Sequence, residues 1–186
     1  MPTDGRCPDD DVAAADAMEV DADGDAPAPA AAAAPRETPS FASAIAATLP
    51  AALVNEVTAL EALTMAGYTR NGPPFESYFR RWDLMIHTAR SASGVLLGAA
   101  ISGAEGRGKV FLYELHVAEE ARGVGVGRAL IDLAERSSTS RGRGGVMMEL
   151  NVHTSNVKAQ GFYEHLGFTR MGETRDKLAI IMRRKR

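Results

Sequence analysis

The segment Arg122–Arg128 has the residue types of a phosphate-binding site. Glycine permits the positive φ angles and the close backbone approach that a phosphate group needs. An apolar run precedes the segment and a helical pattern follows it, so the free N–H groups of the helix N-terminus point toward the same ligand. The two arginines add charged donors. We therefore predict a phosphate cradle formed by Arg122, Gly123, Val124, Gly125, Val126, Gly127 and Arg128.

Two common phosphate-binding motifs do not fit this segment. The dinucleotide motif G-x-G-x-x-G, placed on Gly123 and Gly125, needs a glycine where Arg128 stands. The motif G-x-x-x-x-G-K-[ST] needs a Lys-Ser or Lys-Thr pair, which does not follow. The pattern that remains is Arg-x-x-Gly-x-Gly. A glycine-rich turn that only lets the next helix pack closely stays open as the alternative.

A second block of residues follows the first at a suitable distance. It comprises the strand-like run Leu150–Asn156 and the helical run Ala159–Phe168, of the form A-x-x-F-Y-x-x-x-G-F. Together the two blocks resemble the GNAT superfamily of N-acetyltransferases over about Leu84 to Met182. The resemblance implies a GNAT fold, acetyl-CoA as cosubstrate and no metal. It also implies cosubstrate contacts by the cradle, by Asn156 and by backbone groups of Leu115, His116 and Val117.

One feature is similar to a narrower class. The run Leu112–Val117 contains a Tyr-Glu pair, and a later strand carries Leu-x-Val-x-x-x-Asn, as in the NatD type of N-terminal acetyltransferase. The resemblance implies acetylation of histone tails that begin Ser-Gly-Arg-Gly. The sequence differs from that class in two ways. Only Tyr78–Trp82 matches its aromatic substrate-binding segment, and the N-terminal region is acidic rather than basic.

Acetyl transfer to an amine needs a base for the amine and a proton for the departing thiolate. Glu114 lies among apolar neighbours, so we expect it to be partly desolvated and to act as general base, directly or through water. A structural ion pair with an arginine is the alternative. Tyr163 is the predicted acid, although its place on an apolar helix face also suits a core residue. Side chains alternate along a strand, so we predict that Glu114 and His116 share one face and Tyr113 lies on the other, which makes His116 a candidate accessory base. The resemblance makes Tyr113 and Asn151 substrate contacts.

These residues must be positioned by alternating strands and helices. Three strands joined by short turns favour antiparallel pairing, and a strand–helix–strand unit favours a parallel pair. We predict an α/β fold with a mixed, mostly antiparallel sheet of about six strands flanked by helices. The predicted helices contain Leu53–Thr64 (stopped by Gly67), Leu130–Ala134 and Ala159–Leu166 (with Gly167 after its end); the strands are Leu84–Thr88, Val95–Ile101, Lys109–Val117, Val146–Val152, Phe168–Met171 and Lys177–Met182.

Charge and composition divide the chain in two. Residues 1–40 hold ten acidic and two basic residues, for a formal charge of −8, whereas residues 41–186 carry +5. The first part is rich in Asp, Ala and Pro and lacks apolar bulk, so we predict a disordered tail over residues 1–45 and one domain over residues 46–186. The tail is either a solubilising segment or an electrostatic arm for a basic partner.

Several classes of protein are not expected. No apolar run is long enough to span a bilayer, and the first residues lack a signal-peptide core. The single cysteine, Cys7, favours a reducing compartment, the cytoplasm or the nucleus. The four histidines have no metal-ligand spacing. The positive charge of the domain is explained by CoA phosphates, so it requires no nucleic-acid partner. We also expect a monomer with no membrane partner.

Three functions remain in competition. The first is an acetyl-CoA-dependent N-acetyltransferase acting on a protein N-terminus, and on histone tails in particular. The second keeps the fold but acetylates a lysine side chain or a small-molecule amine. The third is a CoA-binding regulatory module without catalysis. An α-amine with a pKa near 8 is partly neutral at physiological pH, whereas a lysine amine demands roughly 3–4 kcal/mol more for deprotonation.

Overall fold

A computed structural model of the chain describes residues 38–66, 73–105, 108–138 and 147–185. These residues form seven strands, three α-helices and short 3-10 turns. The strands are β1 (Ser40–Ile45), β2 (Leu84–Arg90), β3 (Leu96–Ala104), β4 (Lys109–Val117), β5 (Met147–His153), β6 (Thr169–Glu173) and β7 (Ala179–Lys185); the helices are α1 (Ala51–Thr64), α2 (Val126–Ser138) and α3 (Val157–His165), with a 3-10 helix at Phe75–Arg80.

All seven strands belong to one sheet, in the order β1-β2-β3-β4-β5-β7-β6. The β4–β5 pair is parallel and the other pairs are antiparallel. This confirms the predicted mixed, mostly antiparallel sheet. The parallel pair arises because α2 carries the chain back across one face between β4 and β5. Gly67 and Val146, predicted to stop α1 and to begin β5, lie outside the described residues.

The segment Ser40–Ile45 corrects the predicted boundary of the tail. It was expected to be disordered, but it pairs with β2 from Ser40 opposite Arg90 to Ile45 opposite Met85, which raises the strand count to seven. Its small and mixed residues lack an alternating apolar pattern, because it is held by backbone hydrogen bonds to the edge of β2 rather than by a buried face. Residues 1–37 lie outside the described part, and disorder there stays a prediction.

The two faces of the sheet carry different helices. Helix α2 packs so closely on β3 that a Cβ atom at Gly98 would lie 3.0 Å from the carbonyl oxygen of His116 and 3.0 Å from Leu130. Helix α1 and the 3-10 helix pack over His116, through Thr64 and Phe75 respectively. The central strands are therefore buried on both sides, as the mostly buried residues of β2, β3 and β4 show. In the described part of the chain no helix is long and apolar enough to cross a membrane.

A β-bulge lies in the middle of β4. The register with β3 shifts between the pairs Ile101–Glu114 and Ser102–Leu112, so Tyr113 is the extra residue on β4. A bulge bends its strand and breaks the regular alternation of side chains. Two consequences for the site follow from this single residue.

The first consequence is that Tyr113 does not lie on the face predicted for it. Strict alternation placed Tyr113 opposite Glu114 and His116. Instead the rings of Tyr113 and His116 both contact the same 3-10 helix, at 5.7 Å from Tyr78 and 5.6 Å from Phe75. The prediction was wrong because a bulge cannot be read from an apolar pattern of period two.

The second consequence is that β4 and β5 separate. Their parallel pairing runs from Lys109 opposite Met147 only to Leu112 opposite Leu150. Beyond that point β4 continues to Val117 paired with β3 alone, while β5 continues to His153 paired with β7. The two strands therefore splay apart beyond Leu112, and the separation starts at the bulge.

Candidate active site

The predicted cradle folds as a turn at the start of α2. Gly123 and Gly125 have φ angles of +70° and +88°, in the left-handed region that favours glycine. Helix α2 begins at Val126, so the N–H groups of its first turn have no acceptor within the helix. Gly123 and Gly125 are exposed, and an added Cβ at either would have no neighbour within 4 Å. Positive φ rather than crowding thus explains why glycine occupies both positions.

A cavity of about 280 Å³ opens beside this turn. It is bounded by Val117 at the end of β4, by residues between Ala121 and Arg128, and by three residues of α3 and its end. Those three, Phe162, His165 and Leu166, were not predicted as site residues. Their helical spacing was visible in the sequence, but it did not show that this side of α3 faces the turn.

The two arginines of the cradle differ in their surroundings. The Nε of Arg122 donates to the carbonyl oxygen of Val117 at 3.3 Å, which ties the turn to the end of β4. Arg122 also borders a second groove of about 530 Å³, formed by α1, the start of β3 and residues Ala118–Glu120. Arg128 is exposed on the first turn of α2 and lines the smaller cavity. Both guanidinium groups are placed near the rim where an anionic ligand of the turn would lie.

Glu114 is fully buried, with an exposed fraction of 0%. Its Oε2 lies 3.2 Å from Nε2 of His116, whose exposed fraction is 1%. The Nδ1 of His116 lies 2.7 Å from the hydroxyl of Thr64 on α1. The expected partly desolvated glutamate is thus more deeply buried than predicted. One neighbour of its carboxylate is a histidine of the same strand, His116.

The substrate contacts implied by the resemblance lie on either side of the separation between β4 and β5. Tyr113 is buried against Tyr78, and the guanidinium carbon of Arg81 lies 5.3 Å from the centre of the Tyr113 ring. A hydrogen bond to Asp83, with smaller contributions from Tyr113, raises the pKa of Arg81, so it stays charged. Asn151 is nearly buried on β5, one residue past the last β4–β5 pair.

The remaining predicted residues lie at α3. The Oδ1 of Asn156 accepts a hydrogen bond from the N–H of Ala159 at 3.0 Å, so Asn156 caps the N-terminus of α3, and its contact with the cosubstrate stays a prediction. Tyr163 is fully buried, and its ring meets Phe162 at 5.2 Å and Phe168 at 5.5 Å. This packing agrees with a core position, and the acid role of Tyr163 stays a prediction. The positive φ of Gly167, +86°, confirms that it ends α3.

A network of charges lies at the paired end of β4 and β5, remote from the turn. Glu149 contacts Lys109 at 2.6 Å and Arg183 at 2.6 Å. Burial raises the pKa of Glu149, but hydrogen bonds from Lys109 and Arg183 outweigh burial and lower it overall. The described residues contain no group of three His, Cys, Asp or Glu side chains that could hold a metal ion.

The geometry fits a ligand of the acetyl-CoA kind. The turn offers unpaired N–H groups and arginines for phosphates, the adjoining cavity offers apolar walls, and the separated strands lead from it toward Glu114. Residues 56–168 match the model of the Acetyltransferase (GNAT) family. The chain belongs to this family. The fold class and the enzyme class predicted from the sequence, a GNAT fold and an acyltransferase, agree with this membership.

Individual relatives of this GNAT chain support the fold more than the substrate. It is 43% identical over 63 residues to the "5-NmdU N-acetyltransferase" of Pseudomonas phage PaMx11, a match that covers 34% of this chain and 41% of the relative. The chain thus spans about two fifths of that relative's length. The ribosomal-protein-S18-alanine N-acetyltransferase of Escherichia coli has a TM-score of 0.59 at 21% identity, covering 80% of this chain and 94% of its own. Ard1 of Thermoplasma volcanium has a TM-score of 0.58 at 21% identity, and the match covers 78% of this chain and 97% of Ard1.

Proposed function

We propose that this GNAT chain transfers an acetyl group from acetyl-CoA to the N-terminal amine of a protein. One observation carries the proposal. A buried carboxylate, Glu114, lies on the strand segment that leaves β5 and ends at the phosphate-binding turn. A base and an anion cradle at opposite ends of one short strand segment suit transfer of an acyl group from a phosphorylated carrier to an amine.

The parts of the site have distinct tasks in this proposal. The N–H groups of the turn and of α2, with Arg122 and Arg128, hold the diphosphate. The edge of β4 at Leu115–Val117 offers N–H groups to the carrier arm and to the acyl oxygen. Bound acetyl-CoA supplies the activated acetyl thioester. Glu114 takes a proton from the substrate ammonium through one bridging water, because it is buried, and Tyr163 gives a proton to the departing thiolate.

An α-amine is a better substrate than a lysine side chain for this site. Its ordinary pKa lies near 8, against about 10.4 for lysine, so its deprotonation by a single carboxylate requires less free energy. The Tyr-Glu pair at Tyr113 and Glu114 is the feature shared with NatD-type enzymes. By that resemblance we propose an acceptor with a basic N-terminus of the histone kind, Ser-Gly-Arg-Gly, in the cytoplasm or the nucleus.

A small-molecule amine is the second candidate for the acceptor. It is favoured by the phage relative, whose name describes N-acetylation of 5-NmdU and not of a protein. The burial of Glu114 and the closed packing of Tyr113 on Tyr78 also suit a small acceptor. A CoA-binding module without catalysis is the third candidate, and it predicts binding with no turnover.

A panel of amines tests these alternatives. Acetyl-CoA turnover should be measured with Ser-Gly-Arg-Gly peptides whose N-terminus is free or blocked, with a blocked peptide that contains lysine, and with a small primary amine. Turnover with the free peptide alone supports the proposal. Equal turnover with the blocked lysine peptide contradicts it, and activity confined to the small amine favours the second candidate. Tight binding of acetyl-CoA with no turnover favours the third.

A further inference from the structure

Arg184 on β7 joins the two helices that border the cavity of about 280 Å³. The start of α2 forms one wall of this cavity, and Phe162, His165 and Leu166 at the end of α3 form another. Within the described residues the backbones of α2 and α3 approach each other at few points. The side chain of Arg184, with an exposed fraction of 15%, contacts both helices. One largely buried side chain thus connects two walls of the cavity.

On one side, the guanidinium group of Arg184 binds two carboxylates of α2. Its Nε donates to Oε1 of Glu135 at 3.1 Å, and its Nη2 lies 2.9 Å from the same oxygen. Nη2 also donates to Oδ1 of Asp132 at 3.3 Å. Glu135 is nearly buried, and a buried carboxylate is costly unless a cation and hydrogen bonds compensate it. Arg184 is therefore held against the middle of α2.

On the other side, Arg184 binds the end of α3. Its Nη1 donates to the carbonyl oxygen of Leu166 at 3.1 Å. Leu166 is the C-cap of α3, where carbonyl groups lack partners within the helix and a nearby cation is favourable. The guanidinium carbon also lies 5.0 Å from the centre of the Phe168 ring. Leu166 thus borders the cavity and accepts a hydrogen bond from Arg184.

The geometry of an arginine side chain suits these two connections. Its planar guanidinium group carries five N–H donors that point in fixed directions. In Arg184 the Nε and Nη2 donors serve α2, and the Nη1 donor serves the end of α3. A lysine ammonium in the same place is a compact charge, so we expect it to keep the ion pair with α2 and to lose the bond to Leu166.

We propose that Arg184 is a positioning residue for the cosubstrate, because it holds the end of α3 at a fixed distance from α2. The inference rests on the proposed function, in which this cavity and the adjoining turn bind acetyl-CoA. Arg184 acts through the position of Leu166 and does not touch the cosubstrate itself. A binding site loses affinity when the side chains that support its lining residues are loosened, even if the lining residues are unchanged.

Arg184→Lys tests this bridge, and Arg183→Lys is the matched control. Both variants keep a positive charge on β7, and both lose a paired contact to one carboxylate oxygen, since Arg183 binds Oε2 of Glu149 through Nε at 3.0 Å and Nη2 at 2.6 Å. Calorimetric titration with CoA should give a Kd about tenfold higher in Arg184→Lys, the size of a typical coupling between contacting groups, and an unchanged Kd in Arg183→Lys. Denaturant unfolding shows whether the two variants lose similar stability.

Glu135→Gln weakens the same bridge from α2, and it replaces Arg184→Lys if that variant does not fold. It removes the buried charge that holds the guanidinium group and keeps the size of the side chain. We expect this substitution also to raise the Kd of CoA. Where both variants fold, the double variant should have a smaller effect than the product of the two separate effects, because both substitutions break one connection.

Kinetics and binding together decide the outcome. In Arg184→Lys the KM of acetyl-CoA should rise with the Kd of CoA, while kcat at saturating acetyl-CoA changes little. An unchanged Kd in Arg184→Lys overturns the inference, and so does an equal increase in Arg183→Lys, which a general loss of stability explains. If the wild-type protein binds no CoA, the proposed function and the inference are both wrong. If it binds CoA but acetylates no amine, only the proposed transfer is wrong, and the Kd values still decide the role of Arg184.

Discussion

Two buried glutamates of the chain have opposite surroundings, and the difference separates a candidate for catalysis from a structural residue. Glu149 is held by two cations, Lys109 and Arg183, each 2.6 Å away. Glu114 lies 3.2 Å from the ring of His116. A carboxylate held by permanent cations is a poor base, because the cations favour its charged form.

Glu114→Gln is therefore expected to lower kcat by about two to three orders of magnitude, as loss of a general base does. The affinity for acetyl-CoA should not change, since the phosphate-binding turn lies at the far end of the strand segment. Steady-state acetyl transfer and calorimetric titration measure the two quantities. Glu149→Gln is the matched control, because it removes another buried carboxylate. Equal kcat values in the two variants contradict a catalytic role for Glu114.

Glu149→Gln also tests how the free energy of unfolding depends on pH. The pKa of Glu149 is lowered in the folded chain, so its stabilising contribution is present above its ordinary range, near 4.3, and is lost as the pH falls through its folded value. Glu149→Gln should lower the free energy of unfolding by about 1.5–3 kcal/mol at pH 7. Urea unfolding at several pH values should show this difference shrinking below pH 4. A difference that is constant with pH contradicts the assignment.

At the scale of the elements, the position of the turn Arg122–Arg128 depends on how closely α2 approaches β3. Gly98 permits that approach, because a Cβ there would meet the backbone oxygen of His116 at 3.0 Å and the first residue of α2, Val126, at 3.3 Å. The carbonyl belongs to the strand ladder and cannot move aside as a flexible side chain does. The cradle and the splayed strand are thus coupled through one glycine.

Gly98→Ala is expected to lower the free energy of unfolding by about 1–3 kcal/mol, the usual effect of overpacking, and to weaken acetyl-CoA binding. Gly161→Ala adds the same methyl group on α3, where no atom lies within 4 Å of the new Cβ. That substitution should stabilise the chain by about 0.5–1 kcal/mol, because glycine is a poor helix former. Denaturant unfolding measures the free energy of unfolding of both variants. A change of the same sign in Gly98→Ala and Gly161→Ala contradicts the proposed effect of crowding at Gly98.

The sequence predicted an element when the residues that determine it are close together in the chain. Helix α3 and its end at Gly167 were predicted, because the apolar spacing and the positive φ of one glycine are local signals. Strand β1 was missed, since its pairing with β2 depends on residues 40 to 50 positions away in sequence. The bulge at Tyr113 was missed because it depends on how β4 pairs with β3, which an apolar pattern of period two does not show. The contact between Thr64 and His116 joins a helix to a strand, so no spacing rule indicates it.

Across the whole molecule, charge is divided sharply along the chain. Residues 1–37 hold ten acidic and two basic residues, a formal charge of −8, and the rest carries +5. This acidic arm, residues 1–37, precedes β1 in the chain, and the first residue of β1, Ser40, pairs with Arg90 at the end of β2. Arg90 forms an ion pair at 2.7 Å with Glu56, which lines the same groove as Arg122. The chain from the arm thus enters the sheet close to that groove.

An acidic arm in this place should attract a basic peptide toward the groove. Deletion of residues 1–37 leaves β1 intact, and we expect it to raise the KM of a Ser-Gly-Arg-Gly peptide about tenfold at low ionic strength. The effect should vanish at about 1 M salt, where the screening length falls to about 3 Å. A neutral peptide with the same free N-terminus is the control and should keep its KM in both proteins.

If the acidic arm instead lies over its own basic domain, the truncated protein should behave differently. An arm that covers the arginines of its own phosphate-binding turn would compete with CoA phosphates, so its removal would tighten acetyl-CoA binding at low salt and leave the peptide KM unchanged. Binding of acetyl-CoA is measured by calorimetry and peptide KM by turnover, at both salt concentrations. An arm that recruits substrate changes only the peptide KM, whereas an arm that covers the site changes only the affinity for acetyl-CoA. A comparison of the full-length and truncated proteins therefore decides between the two.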